Sequence, residues 1–402
     1  MSIIFLMTLG SAYYQEQFPL ANVITGTSTK LKNPAPSVTM TFNGRKLIYP
    51  AIDETPNTDD PIVKRWVKTL DFSKVPNLPP SNGGQINYDQ PNCKAETSMK
   101  PNQGSWTCQK YTAPDDIVTC PKKGDWGLTY DDGPSKSTPK LLDFLLQRNL
   151  KATFFVTGSR VISNPLTLKA AYDSGHHIAV HTWSHPALTS LSNESIVAEL
   201  RWTIKAIHDI TNATPNYFRP PYGDTDNRVR AISKAVGLVT TLWLPEFDSN
   251  DWSLISDLSK PVDAVVQTFD SWMARFPKMS TGLIVLQHDL HPRTVGAALS
   301  ILDKAANVRG LNITTVSKCI GDIKPYAELG INTRSGHNLT DAVISKDLSN
   351  GGYSVVPKYC SLLMARKNRL HLSTYEIEAF NPHGKMNVPS RNRTGVPYVI
   401  LP

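Results

Sequence analysis

Short apolar runs alternate with amphipathic segments throughout residues 126–317. Each apolar run has the length of a buried strand, and each segment between two runs carries apolar residues at helical spacing. The predicted strands are 126–130, 151–156, 176–181, 216–219, 238–244, 281–287 and 312–317. The predicted helices are 138–148, 166–174, 193–210, 226–236, 261–275 and 294–307. Strand–helix alternation predicts an α/β fold with parallel strands, and seven units are close to a closed barrel.

The regular pattern divides the chain into four parts. Residues 1–12 are apolar and end in small residues, as expected of a signal peptide, although a positive segment before them is lacking. Residues 13–119 are rich in Pro, Asn, Asp and Thr and predict a loop-rich extension with a short helix near 62–70. Residues 120–320 form the predicted barrel, and residues 321–402 predict an irregular tail.

Five glycosylation sequons and five cysteines favour a secreted or cell-wall protein. The sequons begin at Asn193, Asn212, Asn312, Asn338 and Asn392. No cysteine lies in a C-x-x-C pair, so a cysteine zinc site is not expected. A reduced intracellular protein with inert thiols is the alternative.

Charge and composition exclude several partners. The net charge is +8, but no basic stripe with interleaved aromatic residues is present, so nucleic acid is not an expected partner. No apolar run reaches the roughly 18 residues of a membrane span, so a transmembrane segment is not expected. We also expect the protein to be a monomer.

Candidate metal ligands lie at the ends of two predicted strands. Asp131 and Asp132 follow the first strand, and neighbouring carboxylates repel each other unless a cation lies beside them. His181 ends the third strand and His185 lies one helical turn further on, close enough to share a metal. Two histidines and one aspartate are a suitable ligand set for zinc with positions left for water and substrate. The adjacent His176 is expected to be a core histidine, as is His177.

Other strand ends also carry residues that suit hydrolysis. The fourth strand ends in RPPYG, at 219–223, the fifth is followed by DSNDW, at 248–252, and the sixth ends in LQHD, at 286–289. Any one of these sequences is compatible with an ordinary turn. Five such sequences on the strand ends of one barrel indicate a single site, because the carboxyl ends of parallel strands meet at one edge.

These sequences, TYDDGP, HTWSHP, RPPYGD, DSNDW and LQHD, resemble in content and order the five motifs of the polysaccharide deacetylase family, carbohydrate esterase family four. The resemblance covers residues 120–320 and is strongest to secreted fungal chitin deacetylases. It implies a distorted (β/α)₇ barrel and a hydrolase that removes N-acetyl groups from chitin or chitin oligomers. It also implies Zn²⁺, with Co²⁺ or another divalent ion as the alternative, bound by Asp132, His181 and His185.

The resemblance implies a role for each further residue. Asp131 corresponds to the general base and Arg219 to the residue that orients it. His288 corresponds to the general acid, and the backbone N–H of Tyr222 to the oxyanion donor. An aspartate of the fourth motif should tune the pKa of His288, and both Asp248 and Asp251 are candidates.

Two further residues, Trp252 and Leu286, correspond to walls of the acetyl pocket. The family pattern differs at Tyr130, where phenylalanine is more usual, and in residues 244–247 before Asp248. The alternatives to chitin are another acetylated glycan, such as peptidoglycan or xylan, and an inactive wall-binding homologue.

The barrel also predicts a disulfide between Cys120 and Cys319. These cysteines flank the first and last strands, which lie side by side in a barrel. Cys93 and Cys108 would then pair within the extension, and Cys360 would be left free in the tail.

Overall fold

The computed structural model describes residues 37–91, 93 and 103–327, and all structural statements below concern these residues. The predicted signal peptide, most of the predicted tail, Asn338, Asn392 and Cys360 lie outside them. No helix within these ranges is both long enough and apolar enough to cross a membrane.

The described strands are β1 Val38–Phe42, β2 Arg45–Tyr49, β3 Asp125–Gly127, β4 Thr129–Asp131, β5 Thr153–Val156, β6 His177–Val180, β7 Tyr217–Phe218, β8 Val239–Thr240, β9 Leu283–Ile284 and β10 Asn312–Thr314. The described α-helices are α1 Pro61–Lys68, α2 Trp106–Gln109, α3 Thr138–Gln147, α4 Gly158–Ser163, α5 Pro165–Asp173, α6 Asn193–Thr211, α7 Asn227–Val236, α8 Ser253–Ser256, α9 Val262–Arg275, α10 Pro292–Ala305 and α11 Val316–Cys319. All seven predicted strands and all six predicted helices are therefore confirmed, with shorter strands than expected.

The strands after β2 are parallel and form two sheets that share one chain segment. The larger sheet has the order β4-β5-β6-β7-β8, and the smaller has the order β10-β3-β9. Because β3 and β4 are separated by Leu128 alone, one segment belongs to both sheets. Two single parallel bridges, Asp131–His288 and Asp248–Leu286, link β4, the residues after β9 and the residues after β8. This is the strand order of a distorted barrel in which single bridges replace part of the ladder.

The long helix α6 shows how the sequence covers this sheet. The Ser192 hydroxyl oxygen accepts a hydrogen bond from the Ser195 N–H at 3.2 Å and caps the helix, which begins at the predicted residue 193. Asn212 ends it with a left-handed φ of 60°. Residues on the inner face are buried, among them Ile196, Leu200 and Ile207. Burial of such apolar faces supplies most of the stability of an amphipathic helix.

The extension contains a β-hairpin that its composition did not indicate. Strands β1 and β2 pair in antiparallel register around Asn43 and Gly44, whose φ angles are 48° and 74°. An Asn-Gly pair adopts this left-handed turn at low cost, because it matches the twist of the flanking strands. The signal was therefore present in the sequence, and the extension is less irregular than expected. The short helix predicted near 62–70 corresponds to α1.

The hairpin and the residues after it pack against the turn that carries His181 and His185. Tyr49 is buried, and its ring lies 5.9 Å from that of Trp183, centroid to centroid. The Trp183 indole N–H donates a hydrogen bond to the Ala51 carbonyl at 2.9 Å. Since Trp183 lies between His181 and His185, the extension packs directly against that turn.

Two disulfides join the cysteines in the pairs that the sequence suggested. Cys120 and Cys319 have a Cα–Cα distance of 5.3 Å and lie 199 residues apart in the sequence. Cys93 and Cys108 have the same Cα–Cα distance of 5.3 Å. The first bridge connects the residues before β3 to α11, and cross-links over such long loops constrain the unfolded chain strongly in the chain-entropy model.

Three sequon asparagines lie within the described residues, in different settings. Asn212 is exposed at the end of α6. The Asn312 side-chain nitrogen, the atom that a glycan would modify, donates to the Asp125 carboxylate at 2.8 Å. The Asn193 side-chain oxygen accepts from Arg228 at 3.0 Å. Only the Asn312 amide nitrogen has a described contact that glycosylation would break.

Candidate active site

Three side chains converge at the carboxyl edge of the larger sheet. Asp132 follows β4, and His181 follows β6. The His181 Nε2 lies 3.2 Å from the Asp132 Oδ1, and the His185 Nε2 lies 3.1 Å from the same oxygen. All three potential ligand atoms lie within 4.8 Å of one another. The structure therefore brings together the three residues that the sequence selected.

The backbone around these ligands adopts uncommon conformations. The φ angles of Asp132, Thr182 and His185 are 76°, 65° and 63°. Positive φ angles in residues other than glycine are costly and concentrate at functional sites, where surrounding contacts hold them. Gly133, the next residue, has no room for a side chain, because an added Cβ would lie 2.3 Å from an Asp289 carboxylate oxygen.

Hydrogen bonds to the far side of each imidazole leave Nε2 directed towards Asp132. The His181 Nδ1 lies 2.7 Å from the Arg219 carbonyl oxygen, which can only accept, so Nδ1 carries the proton. The His185 Nδ1 lies 3.2 Å from the Tyr222 hydroxyl. That hydroxyl in turn donates to the Tyr88 carbonyl and can therefore accept from His185. Both imidazoles are held with an Nε2 lone pair facing the cluster, as in many metal sites.

The cluster fits a metal cation. The Asp132 Oδ1 is buried and accepts no well-aligned hydrogen bond from any described residue. A carboxylate oxygen facing two imidazole lone pairs is a suitable donor set for a divalent ion.

Asp131 forms a buried ion pair beside the metal-ligand cluster. Its Oδ1 accepts from the Arg219 guanidinium at 2.9 Å, and both side chains are almost completely buried. The same guanidinium donates to the Thr129 hydroxyl at 2.8 Å and to the Leu242 carbonyl at 3.2 Å. It also lies 4.3 Å from the Phe155 ring centroid. These contacts fix Arg219, so the orientation of the Asp131 carboxylate is fixed as well.

His288 lies next to this ion pair and contacts Asp251. Its Nδ1 lies 2.6 Å from the Asp251 Oδ1, and its backbone N–H donates to the Asp251 Oδ2 at 2.8 Å. Burial lowers the pKa of His288, but Asp251 and, to a lesser extent, Asp132 and Asp131 raise it to about 10. His288 therefore carries a proton at neutral pH.

Asp248, the other candidate partner of His288, makes a different contact. Its carboxylate accepts from the Asn250 backbone N–H at 2.7 Å and thus stabilises its own loop. Burial raises its pKa. The residue in hydrogen-bond contact with His288 is Asp251.

The remaining predicted residues lie around the same edge of the sheet. Tyr222 has a left-handed φ of 58°. Trp252, next to Asp251, has 43% of its surface exposed. Leu286 is buried and packs with Trp106, Leu242 and Trp243 in a small apolar cluster.

Glu199 is a supporting residue that the sequence analysis missed. It is fully buried on α6, and its carboxylate accepts from the Trp183 and Ser184 backbone N–H groups at 2.7 and 2.9 Å and from the Ser184 hydroxyl at 2.6 Å. Burial raises its pKa to about 7. It holds the strained turn between His181 and His185. Glu199 lies on the apolar face of α6, three residues after Ile196, and a carboxylate at such a position was the sequence signal that it has a buried role.

Asp289 supports the turn after β4 in the same way. It is fully buried, and its carboxylate accepts from the Gly133 N–H at 3.1 Å. Its backbone carbonyl accepts from the Ser135 hydroxyl at 2.7 Å. Burial, together with Asp132 and Asp131, raises its pKa to about 7.

The two expected core histidines are buried and contact neighbouring strand residues. The His176 Nδ1 accepts from the Ala152 N–H at 3.1 Å, and the His177 Nδ1 lies 3.1 Å from the Thr153 hydroxyl. Burial lowers the pKa of each to about 3, so both remain neutral at physiological pH. They lie outside the metal-ligand cluster.

Comparison with known proteins places this site in a family. A family model described as polysaccharide deacetylase matches residues 119–241. Chitin deacetylase 1 of Cryptococcus neoformans is 42% identical over 303 residues, 73% of this chain and 62% of the relative. Chitin deacetylase 2 of Saccharomyces cerevisiae is 37% identical over 293 residues, 73% of this chain and 82% of the relative. The chain thus spans about three fifths of the length of the Cryptococcus protein.

A solved chitin deacetylase from Colletotrichum lindemuthianum is 30% identical, with a TM-score of 0.48, and the match covers 52% of this chain and 94% of that one. The identity and coverage of the Saccharomyces relative, together with the matching family model, establish the relationship. The chain belongs to the polysaccharide deacetylase family.

Proposed function

We propose that this protein hydrolyses the N-acetyl group of N-acetylglucosamine units in chitin or chitin oligomers, giving acetate and chitosan. The observation that carries the proposal is the convergence of Asp132, His181 and His185 beside Asp131 and His288. The curated relatives reported above are named chitin deacetylases, which supports chitin as the substrate. We assign the catalytic unit to residues 120–320.

Zn²⁺ is the metal that the ligand set favours. Two imidazoles and one carboxylate match the three-ligand arrangement of catalytic zinc sites, although Co²⁺ accepts a similar set. The chemistry supplied by a bound zinc ion is polarisation of the acetyl oxygen and activation of water near neutral pH. Asp132, His181 and His185 would hold it.

In the proposed mechanism, Asp131 acts as the general base. It takes a proton from the water whose oxygen forms a bond to the acetyl carbon. Arg219 balances the charge of the carboxylate and holds it in one orientation through the bond at 2.9 Å. A base fixed in this way contributes on the order of 10²- to 10⁴-fold to the rate.

Tyr222 provides the proposed oxyanion donor through its backbone N–H. The left-handed conformation of Tyr222 sets the direction of its peptide groups. The side chain of Tyr222 is held separately, through His185 and the Tyr88 carbonyl. A preorganised donor of this kind is worth about 3 kcal/mol in the transition state. Trp252 and Leu286 are assigned to the walls around the acetyl methyl group.

His288 acts as the proposed general acid. The carbon–nitrogen bond breaks as the leaving amine takes the proton from His288, because an unprotonated amine is a poor leaving group. Asp251 holds the Nδ1 side of the ring, so the Nε2 side is directed to the amine. Asp131 and His288 then return to their starting protonation states through exchange with solvent.

Acetate release tests the function directly. We expect the purified protein to release acetate from chitin oligomers, to stop when zinc is removed with a chelator, and to resume when zinc is returned. Acetylated xylan and peptidoglycan fragments are measured in parallel. Release from either of these, with none from chitin oligomers, would assign the chemistry to another acetylated glycan.

The two disulfides and the family relationship support a secreted or cell-wall location, because disulfides persist in oxidising compartments. Peptide mapping of the protein isolated from its host, without reduction, tests this location. Recovery of free thiols at all four described cysteines would contradict it.

The pH dependence separates the roles of Asp251 and Asp248. A general acid must be protonated, so activity is lost as the pH rises through the pKa of His288. The Asp251→Asn substitution removes the anion that raises this pKa, and we expect the alkaline limb of kcat/KM to move down by about one to two pH units. The Asp248→Asn substitution should move the limb little, because its carboxylate contacts Asn250 instead. Equal shifts in both variants would show that the assignment to Asp251 is wrong.

A further inference from the structure

Three aromatic side chains in the described part of the chain have about two fifths of their surface exposed. They are Tyr88 and Tyr111, each 41% exposed, and Trp252, 43% exposed. Trp252 lies beside Asp251, on the His288 side of the candidate active site. Tyr88 lies on the His185 side, and Tyr111 contacts Arg230 on α7. Two exposed aromatic residues therefore flank the site on different sides.

Tyr88 is fixed to the metal-ligand cluster through its backbone. Its carbonyl accepts the Tyr222 hydroxyl, and that hydroxyl lies 3.2 Å from the His185 Nδ1. The ring of Tyr222 is in turn packed against His185, with centroids 4.7 Å apart. The backbone of Tyr88 is thus two hydrogen bonds from a candidate metal ligand.

The orientation of the Tyr88 ring is fixed by its hydroxyl. That oxygen accepts from the Thr55 backbone N–H at 3.1 Å and lies 2.8 Å from the Thr55 hydroxyl. Two further hydrogen bonds hold the backbone next to Tyr88. The Ala187 N–H donates to the Asn87 carbonyl at 2.7 Å, and the Asn87 N–H donates to the Ser190 hydroxyl at 3.1 Å. An exposed aromatic ring that is already immobilised loses little conformational entropy when it binds a ligand.

We propose that Tyr88 is a substrate-binding residue whose ring stacks on a sugar next to the one that is deacetylated. The ligand class is a β-linked N-acetylhexosamine chain, whose pyranose rings have apolar C–H faces that pack on aromatic side chains. The inference rests on the proposed function and adds a subsite to it. It also gives the extension a role in binding, because Tyr88 lies outside residues 119–241, which match the family model.

The length of the substrate provides the test. A chain of four to six sugars reaches beyond the reacting unit, whereas a disaccharide offers at most one neighbouring sugar. We expect the Tyr88→Ala substitution to raise KM for the hexamer about tenfold, with a smaller change for the dimer and little change in kcat. The Tyr88 carbonyl remains in this variant, so zinc content should stay at the wild-type value.

Two further variants sharpen the comparison. Tyr88→Phe keeps the ring but loses the hydroxyl contacts with Thr55 and Ser184, so its KM should lie between those of the wild type and Tyr88→Ala. Tyr111→Ala removes an equally exposed tyrosine of the same extension and should leave KM unchanged for every substrate length. Equal losses in Tyr88→Ala for all lengths, or loss of zinc, would indicate a structural role and overturn the proposal.

Direct binding of the hexamer distinguishes failure of this inference from failure of the proposed function. Affinity is measured by calorimetry on the zinc-loaded wild type and on Tyr88→Ala, with product analysis of the same samples. If the wild type binds the hexamer without releasing acetate, the proposed function fails, and a tenfold weaker Kd in Tyr88→Ala still supports the subsite. If the wild type does not bind the hexamer, or both proteins bind it equally, the subsite is rejected.

Discussion

Replacement of His181 by alanine is expected to remove bound zinc and amide hydrolysis together. In the proposed site the imidazole would contribute one of three ligand atoms, and its Nδ1 is held by the Arg219 carbonyl. Loss of the metal also removes the source of water activation and acyl polarisation. Activity should therefore fall by at least about 10³-fold.

The measurement is zinc stoichiometry by elemental analysis beside acetate release from chitin oligomers. His177→Gln is the matched control, because His177 is also a buried histidine of the same strand segment but contacts Thr153. It should keep its zinc and most of its activity, although its melting temperature will fall. A His181→Ala protein that remains fully active after metal stripping would show that the ligand assignment is wrong.

The strand–helix order could be predicted because it depends on local patterns. The strand HHIAVH and the helix that begins at Asn193 each carry their own periodicity and their own end signals. The candidate site followed from the order, because parallel strands place their carboxyl ends at one edge. Asp132, His181 and His288 meet there for that reason.

The supporting contacts could not be predicted, because they join positions far apart in the sequence. Glu199 reaches Ser184 from the opposite side of a turn, and Tyr88 reaches Tyr222 across 134 residues. No local periodicity specifies either contact. The sequence could not distinguish Asp248 from Asp251 for the same reason. Both lie in one short loop, and only the fold decides which carboxylate faces His288.

The extension illustrates a different limit. Its composition suggested loops, and short strands with few neighbours have weak periodicity. The Asn43–Gly44 pair was a local signal for the hairpin, but the function of the segment depends on what it packs against. Tyr49 and Ala51 contact Trp183 within the turn that carries His181 and His185, so the extension supports the barrel at a loop with positive φ angles.

The Asp131→Asn substitution should separate metal binding from proton transfer. Asparagine has nearly the same shape, and its side-chain oxygen can still accept a hydrogen bond from Arg219, so the packing around this position is kept. It cannot take a proton from water. We therefore expect zinc content close to the wild-type value, with kcat reduced by about 10²- to 10⁴-fold.

The variant should also be less stable, because the buried Arg219 charge loses its counter-ion. Breaking one partner of a buried pair commonly costs about 3–5 kcal/mol, and the retained hydrogen bond should reduce that cost here. Melting curves at a fixed zinc concentration measure this effect separately from activity. Asp125→Asn is the control, because Asp125 is a buried carboxylate that accepts from Asn312 at the start of β3. Near-normal turnover in Asp131→Asn, with zinc bound, would mean that another group is the base.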